Sequence, residues 1–193
     1  MAKKIQLNSH NFEKVYSWLG INLNTLGCIM LDIRPLNLKY LDFVETYYLH
    51  RSDNEERFWI NGWMVGHDTP HVTLLYGLLQ SGRDYSIHVK EVLSGWKMNH
   101  VEIEDIGYFE SPYNDDPYYC IVAHIKVTPQ LMEGHQRLEF LPHINTFAGY
   151  KPHMTIAYIE KDVKVRDIMI QKLKKKLIGK KLKISEDINL GGK

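Results

Sequence analysis

Apolar residues recur along this chain in two periods. Phe12, Val15, Tyr16 and Leu19 fall at helical spacing and predict a short helix over 11–19, while Leu38, Leu41, Val44 and Tyr48 predict another within 36–50. Between them, 26–33 is a compact apolar run ended by Pro35, the pattern of a buried strand, and the charged run 51–57 reads as a solvated loop. Residues 71–79, opened by Pro70, predict a strand, and 85–93, closed by Gly95, a helix. The strand-like stretches 101–109 and 118–127 flank an Asn-Asp-Asp-Pro turn and are expected to pair as a hairpin. Thr128 as cap and Pro129 at the first helical position open a helix over 130–140. A strand follows at 153–159. Asp162 then caps a helix carrying Val165, Met169, Leu173 and Leu177, and 181–188 is a last strand.

Two of these strands are near copies. Pro70-His71-Val72-Thr73-Leu74-Leu75-Tyr76 and Pro152-His153-Met154-Thr155-Ile156-Ala157-Tyr158 share Pro, His, Thr and Tyr in the same places, 82 residues apart. That distance is too long for one local element and points to an internal duplication. Side chains alternate along a strand, so His71 and Thr73 share one face with Leu75, and His153 and Thr155 share one face with Ala157. By the same parity Tyr76 and Tyr158 point away, toward the core. No segment rich in Pro, Gly or Ser divides the halves, so 1–193 is expected to form a single bilobal domain.

Composition narrows the classes. The formal net charge is +1, so the whole-molecule field is too weak for a general nucleic-acid coat protein, and no long nucleic acid is expected as a partner. The basic run 172–181 can guide an anion or serve as the wet face of an amphipathic helix. The start of the chain lacks the apolar core of a secretory signal, and no stretch has the roughly 18 apolar residues of a membrane span. A cytoplasmic protein without membrane partners is therefore expected. Cys28 and Cys120 are too few for a disulfide scaffold and sit in apolar stretches, which predicts reduced core thiols. The other eight histidines show neither His-x-His nor His-Glu-x-x-His spacing, so no metal site is expected.

Duplicated imidazole–hydroxyl pairs suit phosphodiester chemistry. Breaking such a bond takes a base for the nucleophile and an acid for the leaving oxygen, and two imidazoles titrating near neutral pH can fill both roles. The threonine hydroxyls can donate to the non-bridging oxygens as charge builds there. A lone His-x-Thr on a strand is usually structural; two matched copies argue for catalysis.

The motifs His71-Val72-Thr73 and His153-Met154-Thr155 resemble the two-histidine (2H) phosphoesterase superfamily, which carries paired His-x-Thr/Ser motifs on two related lobes. Within it, PHVTLLYG and YKPHMTIAYI look most like the phage anti-CBASS phosphodiesterases, which degrade cyclic oligonucleotide messengers of bacterial immunity. The resemblance implies an α+β bilobal fold with two pseudo-symmetric antiparallel sheets flanking a central cleft and helices outside. It also implies a catalytic tetrad of His71, Thr73, His153 and Thr155, no metal or other cofactor, and a cyclic di- or trinucleotide, such as cGAMP, as substrate. Processing of 2′,3′-cyclic phosphate RNA ends, cleavage of 2′,5′-oligoadenylate, and nucleotide sequestration without turnover are the alternatives. Phe109 and Tyr113 are candidates for stacking on a base, and serve equally well as core and loop surface. Glu186 can reach a base edge or stand as an ordinary exposed acid.

Overall fold

The computed structural model describes residues 26–33, 70–110, 118–145 and 149–191. The predicted helices at 11–19 and 36–50, the loop 51–57 and Tyr113 lie outside these residues.

Among the described residues, six strands and three helices make up the fold. β1 (Gly27–Ile33) and β2 (His71–Leu78) are followed by a 3₁₀ turn (Gly82–Tyr85) running directly into α1 (Ser86–Val92). β3 (His100–Glu110) and β4 (Tyr118–Ile125) come next, then α2 (Pro129–Leu138), β5 (His153–Glu160), α3 (Val163–Leu177) and β6 (Lys181–Gly191). The predicted caps are present: Thr128 Oγ1 accepts from the Leu131 amide at 3.1 Å, and Asp162 Oδ1 accepts from the amides of Lys164 and Val165. Each satisfies amide donors that the first helical turn leaves without partners.

The strands pair antiparallel throughout, in the order β2-β1-β6-β3-β4-β5. The sheet falls into two halves, β2-β1-β6 and β3-β4-β5. A short ladder joins them, His100, Val101 and Glu102 of β3 standing opposite Lys183, Leu182 and Lys181 of β6. The α+β class implied by the resemblance is therefore present, its two antiparallel sheets joined as halves of one. β1 alternates strictly, with Ile29, Leu31 and Ile33 buried while Cys28, Met30 and Asp32 are half-buried. α2 packs on β2, and α3 packs on β3 and β4 through the buried Met169, Leu173 and Leu177. One apolar cluster runs through both halves, from Ile29 and Leu74 to Ile121 and Ile156.

The two motif strands are the two edges of this sheet. They are not neighbours in the ladder, yet β2 and β5 approach within 8 Å between Cα atoms. The strands that carry the duplicated motifs thus lie close together. Among the described residues, no helix is long and apolar enough to cross a membrane.

Candidate active site

Each motif strand is read best against its neighbour. On β1, Asp32 stands opposite His71, Met30 opposite Thr73 and Cys28 opposite Tyr76. On β4, His124 stands opposite His153, Val122 opposite Thr155 and Cys120 opposite Tyr158. The halves thus repeat rung for rung. The repeat extends into sequence, for Cys28-Ile29-Met30-Leu31-Asp32-Ile33 and Cys120-Ile121-Val122-Ala123-His124-Ile125 share their cysteine and both isoleucines. These copies lie 92 residues apart rather than 82, because stretches of different length separate them from the motifs that follow. Comparing the two apolar runs would have revealed Asp32 and His124.

Both motif strands also carry a β-bulge at the same place. Thr73 pairs with Met30 and Leu75 with Ile29, leaving Leu74 as the extra residue. Thr155 pairs with Val122 and Ala157 with Ile121, leaving Ile156 extra. Leu74 and Ile156 are both fully buried. A bulge shifts alternation by one residue and re-aims the side chains beyond it. In β2, Leu74 and Leu75 accordingly both turn inward, and Tyr76 comes out on the side of His71 and Thr73, 41% exposed. This corrects the parity expectation that buries Tyr76. Cys28, opposite Tyr76, is likewise half-buried rather than a core thiol, though its burial still raises its pKa above the ordinary thiol value. Cys120 is a half-buried thiol as well.

The second motif is surrounded by rings. His153 Nδ1 lies 3.0 Å from the carbonyl oxygen of Lys151. A carbonyl can only accept, so Nδ1 carries the proton and Nε2 of the neutral ring keeps its lone pair. Phe109 of β3 meets His153 edge-to-face at 4.9 Å between centroids and His124 at 5.9 Å. Gly107 makes room for this arrangement: a Cβ there would fall 2.5 Å from His124 Nε2. Burial pushes the pKa of His153 below the ordinary imidazole value, and charge on His124 or His71 acts in the same direction, against the opposing pull of the Lys151 carbonyl. Thr155 Oγ1 lies 3.9 Å from Cys120 Sγ.

On the first motif, Asp32 accepts a hydrogen bond from Asn189 Nδ2 of β6 at 2.8 Å. The first copy thus sets a carboxylate opposite its histidine where the second sets an imidazole. Of the residues singled out from sequence, Phe109 lies against His153, His71–Thr73 and His153–Thr155 stand on the two strands that approach each other, and Glu186 is exposed on β6. The lysines of 172–181 fall on α3, the turn after it and the start of β6, and Lys174 pairs with Asp105 at 2.8 Å. No three His, Cys, Asp or Glu side chains are grouped to hold a metal ion among the described residues.

Paired His-x-Thr strands on two matched half-sheets define a two-histidine phosphoesterase architecture. Residues 58–186 match the 2′-5′ RNA ligase superfamily, and the chain belongs to that family, the 2H phosphoesterases, which act on phosphodiester or cyclic phosphate bonds. Among solved structures it is similar to Usb1 of Kluyveromyces marxianus, with TM-score 0.49 and 10% identity over 88% of this chain and 99% of that one. The same protein with uridine monophosphate gives 0.46 and 10% over 89% and 100%. No curated protein matches the chain.

Proposed function

We propose that this phosphodiesterase opens cyclic di- or trinucleotides to linear products without a metal, and that it thereby counters cyclic-oligonucleotide immunity of the CBASS type in the cytoplasm of a phage-infected bacterium. The observation that supports the chemistry is the approach of β2 and β5, the strands that carry His71–Thr73 and His153–Thr155, as two sheet edges not hydrogen-bonded to each other. A phosphodiester between them would have an imidazole on either side.

His153 is the base in this scheme. Its Nδ1 is occupied by the Lys151 carbonyl, leaving Nε2 to accept, and its surroundings favour the neutral ring. It takes the proton of a ribose 2′-hydroxyl, whose oxygen bonds to the adjacent phosphorus. The bond from phosphorus to the 5′-oxygen breaks, and His71 supplies the proton to that oxygen. Thr73 and Thr155 donate hydrogen bonds to the non-bridging oxygens. Tyr76, turned outward beside the first motif, and Phe109, beside the second, offer one ring per motif for the bases, and such stacking contributes about 1–3 kcal/mol per base. The matched bulges and rungs give the site a near two-fold form that suits a cyclic substrate with repeating nucleotides.

Incubation of 3′,3′-cyclic dinucleotides with the protein in excess chelator, followed by chromatography, should yield linear product. His71→Ala and His153→Ala should each lower turnover by roughly 10²- to 10⁴-fold. Intact ligand with wild-type protein would instead favour sequestration. The family's description, a 2′-5′ RNA ligase superfamily, favours a second reading, action on RNA ends. Faster turnover of 2′,3′-cyclic phosphate ends or 2′,5′-oligoadenylate in the same panel would replace the cyclic substrate with that one.

A further inference from the structure

The bulge in β2 leaves two successive carbonyls, those of Thr73 and Leu74, receiving hydrogen bonds from side chains outside the strand ladder. Tyr150 Oη donates to the Thr73 oxygen at 3.1 Å. His135 Nδ1 lies 2.7 Å from the Leu74 oxygen and, facing a carbonyl, must donate. The two rings stack on each other at 3.9 Å with 7° between their planes, so they form one unit. Burial holds the Tyr150 hydroxyl well above the ordinary phenol range, and it remains a donor throughout the working pH range.

The two rings come from different elements. Tyr150 stands three residues before His153, on the segment entering β5, so its bond to Thr73 ties one motif to the other. His135 is carried by α2, whose place is fixed independently. Trp96 Nε1 donates to the Gln130 carbonyl at 2.8 Å, and its ring lies over Gly134, where a Cβ would fall 2.5 Å from Cζ2. Arg137 Nη1 donates to the Ser94 carbonyl at 2.9 Å. His135 Nε2 faces Glu139 at 3.5 Å.

We infer that Tyr150 and His135 are positioning residues, a stacked clamp on the β2 bulge that sets the separation of the two His-x-Thr strands, a role that rests on the proposal that both motifs act on one phosphate. Among the described residues no hydrogen-bond ladder joins β2 to β5, since both are edges of the sheet. The clamp acts at Thr73 itself, within the first motif, and a displacement of about 1 Å at a reacting group can cost up to about a hundredfold in rate.

Tyr150→Phe removes a single oxygen and keeps the stack. It is expected to lower kcat by about ten- to a hundredfold with KM within about twofold and little change in Tm. His135→Asn, whose amide can reach the Leu74 carbonyl, should retain most of the rate that His135→Leu loses. A Tyr150→Phe kcat within about twofold of wild type, or His135→Asn no better than His135→Leu, would overturn the clamp. So would a loss of rate that merely tracks loss of folded protein in thermal melts. Crystal structures of wild type and Tyr150→Phe read the geometry without activity: the Thr73–Thr155 Cα separation should change, and an unchanged separation refutes the clamp. Absence of any phosphodiester turnover in wild type would instead sink the proposed function, while the crystallographic comparison would still decide the clamp.

Discussion

A general base is useful in so far as it is unprotonated, and the surroundings of His153, the base of the proposed reaction, favour that state. Desolvation is the largest influence on it, with the neighbouring imidazoles of His124 and His71 adding to the effect. A base whose pKa lies below the ordinary 6.5 stays neutral as the medium is acidified into the usual histidine range, so kcat/KM should hold there and fall only at lower pH. His124→Gln removes one source of repulsion against a protonated His153. In that variant the acid-side limb of the pH–rate profile should move to higher pH. A limb that stays in place or moves down would show that His124 does not act on His153. Asp32 and His124 occupy the same rung of the two copies with opposite character, which gives the duplicated motif a means of making its two histidines unequal.

Elements carry these residues with differing legibility. The strands at 26–33, 71–79, 101–109, 118–127, 153–159 and 181–188 are visible in the hydrophobic pattern because each buries one face or both, and the caps Thr128 and Asp162 are visible because side-chain oxygens are what satisfy the first amides of a helix. Tyr76 is not, since alternation assumes an unbroken ladder, and Leu-Leu at 74–75 carries no mark that one residue is extra. His135 and Tyr150 are equally hidden: each serves a backbone carbonyl more than sixty residues away in the chain, and no local spacing encodes such a bond. The caps allow a separate test of α2. Thr128→Ala loses the bond to the Leu131 amide, at a cost of about 1 kcal/mol, and should lower Tm by roughly 2–4 °C. Turnover below the transition should remain, because Trp96 and Arg137 still hold the helix in register. An unchanged Tm would mean that the cap adds nothing to the fold.

At the scale of the whole molecule, duplication accounts for the architecture and for the chemistry proposed. Among the described residues each half supplies three strands, one bulged motif strand among them, and the short contact between β3 and β6 leaves the two motif strands as opposite edges that approach each other. Family membership and fold class can be read from the His-x-Thr repeat alone. The substrate cannot, because the rings beside the motifs are placed by bulges and by strand neighbours rather than by the motifs themselves. The convergence of both histidines on a single phosphate is most directly tested by titrating the protein, with its histidines labelled for NMR, with a nucleoside vanadate that mimics five-coordinate phosphorus. Resonances of His71 and His153 are expected to shift together and saturate at one equivalent. Movement of only one ring, or separate saturation at two equivalents, would contradict a shared site.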